Sequence, residues 1–253
     1  LCVDQKSSLV KVANSEALKA LRSVGLLGLD ITVLQVYLWS VQQMPEQTQP
    51  SVATQGEGET EETSVDADML IKHPLQNQWT LWFFKPDRAK GWEENQREVI
   101  HFDTIEDFWS THNHIKSASE LSAGCDYSLF KAGIKPMWED PRNNNGGRWL
   151  ISLDKKQRSS ELDNYWLEVI LCLIGEAFEE SSEDICGAVV NIRPKGDKLS
   201  VWTADCTNRD GIMKIGQKLK ERLGIQTRGS IVYEAHNDSM KKSGSVAKFR
   251  YTV

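Results

Sequence analysis

The run Lys135-Pro136-Met137-Trp138-Glu139-Asp140 sets a large flat indole directly beside a carboxylate. A carboxylate accepts two parallel hydrogen bonds from adjacent N–H donors, such as those on the N1–N2 edge of a guanine, while an indole stacks on the ring. Together the two groups are suited to reading a purine. The competing reading puts Trp138 in the core and Glu139 in solvent, the ordinary fate of these residue types. A second indole, Trp92, lies in Lys90-Gly91-Trp92-Glu93, a polar setting that offers it little to pack against. Two indoles on separate loops can sandwich one flat ring, and a cationic ring gains cation–π attraction on each face, about 2 kcal/mol when desolvated. Arg193 and Lys198 flank the turn Pro194-Lys195-Gly196-Asp197, where they can grip phosphates attached to the same base.

Catalytic readings fail on the same inspection. There is no G-x-x-x-x-G-K-[ST] or G-x-G-x-x-G run to cradle a nucleotide for hydrolysis, and no Ser or Cys sits in an elbow motif. His112-x-His114 has a spacing that points two rings to different faces of a helix, so it is read as structural. The chain is read as a binding protein and not an enzyme, with neither metal nor cofactor.

Composition narrows the class of partner. The formal net charge is −6, but residues 46–68 carry seven acids and no Lys or Arg; without them 29 acids face 30 bases. The remainder does not coat a polyanion, so a nucleic-acid contact must be local and chemically specific. Nine of the 21 aromatic residues are Trp, which favours stacking. Five cysteines without a C-x-x-C pair point to reduced thiols and no zinc site.

Three segments are expected. Residues 1–43 begin with Leu1 and are unexplained; Val24–Val41 is apolar, but Asp30 within it opposes membrane insertion, and Met44 is the expected natural start. Residues 44–72 read as a disordered acidic tail lacking the apolar content to offset its ordering entropy. The folded domain is expected over 73–253.

Within it, Trp79–Phe84 is β-rich and closes at Lys85-Pro86-Asp87, predicting a central strand. Thr104 is a helix N-cap with Asp107 three residues on, and Ile105, Phe108, Trp109 and His112 follow at i, i+3, i+4, i+7. Short strands are predicted at Tyr127–Phe130, Lys135–Met137 and Trp149–Leu153. A second helix is predicted over Glu161–Phe178, apolar on two sides and therefore buried on its sheet and again by a partner. Ala188–Arg193 and Lys198–Thr203 form a hairpin, Asn208–Arg222 a third helix ended by Gly224, and Ser230–Ala235 and Lys248–Val253 the last strands around a basic loop, His236–Ala247. The fold class is α+β: a mostly antiparallel sheet with three helices on one face.

A flat base, a positive ring and a polyphosphate together describe the 7-methylguanosine cap of mRNA. The chain resembles the eukaryotic translation initiation factor 4E family, the mRNA cap-binding family. The runs carrying the resemblance include Trp79-Thr80-Leu81-Trp82, Phe102-Asp103-Thr104-Ile105-Glu106-Asp107-Phe108-Trp109, Asp126-Tyr127-Ser128-Leu129-Phe130, Pro136-Met137-Trp138-Glu139-Asp140, Gly146-Gly147-Arg148-Trp149-Leu150 and Cys186-Gly187-Ala188-Val189-Val190-Asn191. The resemblance implies a curved eight-stranded antiparallel sheet with three helices on its convex face. It implies that Trp92 and Trp138 sandwich the methylguanine and that Glu139 pairs with N1 and N2. It further implies that Trp202 touches the N7 methyl, and that Arg193, Lys198 and Arg148 hold the triphosphate.

A second site is implied on the helices, where His73, Pro74, Ile105, Trp109, Leu167 and Glu168 dock a scaffold initiation factor or competing repressors sharing its docking motif. Ser245 matches a regulatory phosphorylation position. Pro194 and the connection Gln226–Ser230 depart from the family pattern. The implied function is cap binding in translation initiation, with capped mRNA and the scaffold as partners, no membrane, and a cytoplasmic location to which a nuclear share can be added. The alternatives are a repressive paralogue that recruits the scaffold poorly and, last, a cap-modifying hydrolase, which lacks the Glu-rich metal box.

Overall fold

The computed structural model describes residues 72–225, 230–240 and 249–253. Residues 1–43, the acidic tail to residue 71, Ser245 and residues 226–229 of the departing connection lie outside these. The chain divides into two units between His73 and Pro74, and the second, Pro74–Val253, holds every element described below.

Its frame is an eight-stranded sheet in the order β2-β1-β3-β5-β6-β4-β7-β8. The strands are β1 (Pro74–Phe84), β2 (Gln96–Thr104), β3 (Asp126–Lys131), β4 (Gly147–Asp154), β5 (Ile185–Asn191), β6 (Gly196–Thr203), β7 (Val232–Ala235) and β8 (Tyr251–Thr252). Every strand pairing is antiparallel. Period-2 alternation divides the sheet into two faces. One cross-strand row, Leu81, Leu129, Ala188, Val201, Trp149, Tyr233, is buried throughout. The neighbouring row, Thr80, Phe130, Gly187, Trp202, Arg148, Glu234, points the other way and mixes aromatic with charged groups.

Three long helices cover the first face: α2 (Ile105–His114), α3 (Leu162–Ile174) and α4 (Arg209–Arg222). Two shorter ones are α1 (Trp92–Asn95) and α5 (His236–Met240). The predicted cap of α2 is present, the Thr104 hydroxyl accepting the Asp107 N–H at 3.2 Å, and Phe108 and Trp109 are buried from that helix. His112 stacks on Phe108 at 5.8 Å while His114 Nδ1 meets the Ser110 carbonyl, so the two rings serve different neighbours. Helix α4 lies close on the sheet because Gly216 has no side chain: a Cβ there would come within 2.2 Å of Trp149. The Trp149 indole N–H in turn donates to the Ile212 carbonyl at 3.0 Å.

Four expectations are corrected. Lys135–Met137 is an irregular loop and not a strand, because side chains capture its backbone groups, as described below. Edge strand β2 was not anticipated; Gln96-Arg97-Glu98-Val99-Ile100 is mostly exposed and lacks the alternation that marks a half-buried strand. The basic loop opens with the helical turn α5. Helix α3 stops at Ile174, four residues short, because Glu176 takes φ 52° and the N–H groups of Glu176 and Ala177 turn back onto the carbonyls of Leu173 and Cys172. This closing motif recurs at α4 with Gly224 at φ 61°, the residue that adopts a left-handed conformation without cost. At α3 a glutamate accepts the strain, and its carboxylate receives Asn77 Nδ2 at 2.7 Å, tying the helix end to β1. Of the second apolar stripe on α3, Leu171 and Phe178 are buried and Leu167 is half-buried.

Candidate binding slot

The loop between β3 and β4 is held from inside by two polar side chains. The Asp140 carboxylate accepts the N–H of Lys135 and of Arg142, each at 2.9 Å, and Pro136 between them has no N–H to offer a sheet. Asn143, fully buried, donates its amide to the carbonyls of Lys135 and Met137 at 2.8 and 2.7 Å. These four bonds satisfy groups that a strand would have used, and they carry Trp138 outward, where it is 41% exposed. Its indole N–H donates to Glu139 Oε1, so the carboxylate beside the ring already holds a donor.

Across from it, Trp92 opens the short helix α1 and is 51% exposed. Asn95 anchors that turn: its N–H goes to the Gly91 carbonyl, its side-chain amide to the Asp87 carbonyl at 3.1 Å, and its own carbonyl accepts the Lys85 N–H at 3.2 Å. Phe84, 5.9 Å away ring to ring, supports the indole. A cleft of about 530 Å³ is lined by Glu93 and Glu94 from the Trp92 side, by Lys135, Pro136 and Met137 from the Trp138 side, and by Trp82, Gln96 and Glu98 from β1 and β2. The fold therefore faces the two loops toward one space. Exposed indoles are unusual, since a buried Trp removes a large apolar area from water.

A second cavity, about 630 Å³, gathers Arg148, Arg193 and Lys198 with Asn191, Pro194, Lys195 and Gly196. All three predicted cations thus share one pocket, but two arrive with partners that local sequence does not show. Arg193 grips Asp126 with both terminal nitrogens, which raises its already high pKa. Arg148 donates through Nε and Nη2 to Glu234 Oε1 at 3.0 and 2.6 Å. The hairpin turn is held by Asp197, which receives the Arg193 N–H at 2.9 Å and is paired by Arg158. Trp202 stands on the same face as Lys198 but is only 7% exposed, edge-on to Phe130 at 5.5 Å and bonded through its N–H to Ser200 Oγ at 3.2 Å.

On the helix face, Trp109 and half-buried Ile105 project from α2, and Leu167 and Glu168 from α3. Pro74 begins β1 and is exposed, opposite Thr104 in register. Glu168 is not free, since Arg222 Nε donates to it at 2.6 Å from a nearly buried guanidinium. The Trp109 indole N–H is buried with no acceptor. Reading the sequence did not find Asp126, Glu234, Asp140, Asn143 or Arg222. Only Asp140 and Asn143 left a local signal, as Asp and Asn at spacings typical of side chain–backbone turns.

A family model described as eukaryotic initiation factor 4E matches residues 74–250. Eukaryotic translation initiation factor 4E of Xenopus laevis is 54% identical over 209 residues, covering 83% of this chain and 98% of that protein. Among solved structures, the Ascaris suum eIF4E-3 complex with an m2,2,7G cap superposes with a TM-score of 0.69 at 52% identity, covering 72% of this chain and 99% of that one. The complex of C. elegans eIF4E-3 with the 4E-binding protein Mextli and a cap analogue gives 0.67 at 51% identity over 72% of this chain and 100% of that one. With an antiparallel eight-stranded sheet, three long helices on one face and a match across nearly the whole folded unit, the chain belongs to the eukaryotic initiation factor 4E family.

Proposed function

We propose that this chain binds the 7-methylguanosine 5′ cap of mRNA and recruits a scaffold initiation factor to start cap-dependent translation. The observation that carries this reading is the pair of exposed indoles on two internally clamped segments whose neighbouring residues line one cleft, with a carboxylate beside one of the rings. The methylated base enters between Trp92 and Trp138, and its cationic ring strengthens stacking on both faces. Its N1 and N2 donors take Glu139 over from the Trp138 indole, an exchange of one hydrogen bond for two to a charged acceptor. The triphosphate lies toward the cavity of Arg193, Lys198 and Arg148, and Trp202 meets the N7 methyl.

The helix-face residues Trp109, Ile105, Leu167 and Pro74 are the docking surface for a short amphipathic helix of the scaffold or of a competing repressor. A partner carbonyl would satisfy the orphan Trp109 N–H, whose burial without an acceptor otherwise costs about 1–3 kcal/mol. The two structural relatives, solved with a cap and with a 4E-binding protein, support both halves of this reading. Nothing among the relatives favours a repressive paralogue. Retention on cap-analogue resin, elution by 7-methylguanosine triphosphate but not by guanosine triphosphate, and co-elution of the scaffold test the proposal in one experiment.

A further inference from the structure

On the sheet face opposite the long helices, His236 packs directly against Trp202. Its ring centroid is 4.3 Å from the indole, tilted by 44°, and the residue is 2% exposed. Its backbone N–H donates to the Gly146 carbonyl at 3.1 Å, which fixes the start of α5 against β4. Its Nε2 is buried with no hydrogen-bond partner, an arrangement folded proteins usually avoid. The charged groups facing it are Arg148 and Glu234, which pair with each other, and burial together with the Arg148 charge pushes the imidazole pKa down to about 4. A buried polar ring without a partner does not stabilise the domain through its polar atom. Its evident contribution is the aromatic face it presents to Trp202.

Resting on the cap-binding reading above, we propose that His236 is a positioning residue for methyl recognition: its imidazole backs Trp202 and sets the place of that indole. Two features make His suited to this. The ring is flat enough to pack against an indole from behind, and in its neutral form it adds no positive charge behind a slot that receives a cation. On the cap-binding reading Trp202 meets the N7 substituent and not the stacked faces of the base, so loosening it should cost discrimination between methylated and plain guanine more than it costs base binding itself.

The test measures the affinity of the purified full chain for 7-methylguanosine triphosphate and for guanosine triphosphate by tryptophan fluorescence. His236→Ala should weaken binding of the methylated nucleotide by about fivefold and that of the plain nucleotide by less than about twofold, on the scale of one aromatic contact. His236→Phe, which restores an aromatic face, should recover most of the discrimination. If His236→Ala does not fold, His236→Gln, similar in volume but without the aromatic ring, should show the same selective loss. Parallel weakening for both nucleotides, with their ratio unchanged, would reduce His236 to packing and overturn the proposal. Trp92→Ala separates the two levels: if it binds methylated nucleotide as wild type does, the slot itself is misplaced and this inference falls with it.

Discussion

The two faces of the sheet use the same residue in opposite ways. Behind the helices, Trp79 and Trp149 are completely buried, and Trp149 is locked between Gly216 and the Ile212 carbonyl. On the loops at the open face, Trp92 and Trp138 are among the most exposed large apolar groups of the described residues. The difference lies in what holds each indole. Core tryptophans are held by their own burial, so packing and position are one interaction. The two exposed tryptophans are held by Asn95, Asp140 and Asn143, polar residues that fix the backbone and leave the rings exposed. On the proposed function, stability and binding reside in different atoms, and substitutions should separate them.

The widest separation is expected at Trp149→Ala, which should lose about 3–5 kcal/mol of stability; chemical denaturation of this variant and of Trp138→Ala, the latter nearly unchanged, checks it. A comparable effect is expected from pH. Folding keeps His236 neutral, with a pKa near 4 against 6.5 for the ordinary side chain. The unfolded chain takes up that proton first, so the stabilising increment is complete above pH 6.5 and is lost as pH falls toward 4, roughly 3 kcal/mol in all. Burial lowers the pKa of His112 as well, with the same sign. Melting curves from pH 7 to 4 should be flatter for His236→Phe than for wild type.

Next in size, Trp109→Ala should remove roughly 2 kcal/mol or more of scaffold binding while leaving cap affinity intact. Loss of both activities in a folded protein would erase the division between faces. Glu139→Gln keeps the volume but turns an NH₂ toward a base donor; isothermal titration with 7-methylguanosine triphosphate should show a loss of roughly 2 kcal/mol. Trp92→Ala and Trp138→Ala should each cost at least about tenfold in cap affinity, near 1–3 kcal/mol per stacked face, with melting temperatures close to wild type.

The sequence exposed the parts of this design that are local. The Thr104–Asp107 cap, the β5–β6 hairpin and the exposed setting of Trp92 each follow from neighbouring residues, and the structure contains all three. Lys135–Met137 misled because its apolar residues look extended, while the groups that prevent pairing, Asp140 and Asn143, act from a few residues downstream. The end of α3 was misplaced because a left-handed Glu176 carries no mark in composition. Arg193 with Asp126 and Arg148 with Glu234 are 67 and 86 residues apart, so only the folded register brings them together.

Those two pairings also bear on how the protein should respond to ionic strength. An arginine that already holds a carboxylate must give it up to neutralise a phosphate, which offsets the release of the RNA's counterions, and among the described residues Lys195 and Lys198 line the cavity without such a pairing. The logarithm of affinity for capped RNA should therefore fall against the logarithm of salt with a slope of about −1.4, as for two cations, and not the roughly −2.8 expected of four. Asp126→Asn would release Arg193 to the phosphates and steepen that slope, making the grip tighter in dilute buffer and more easily loosened by salt.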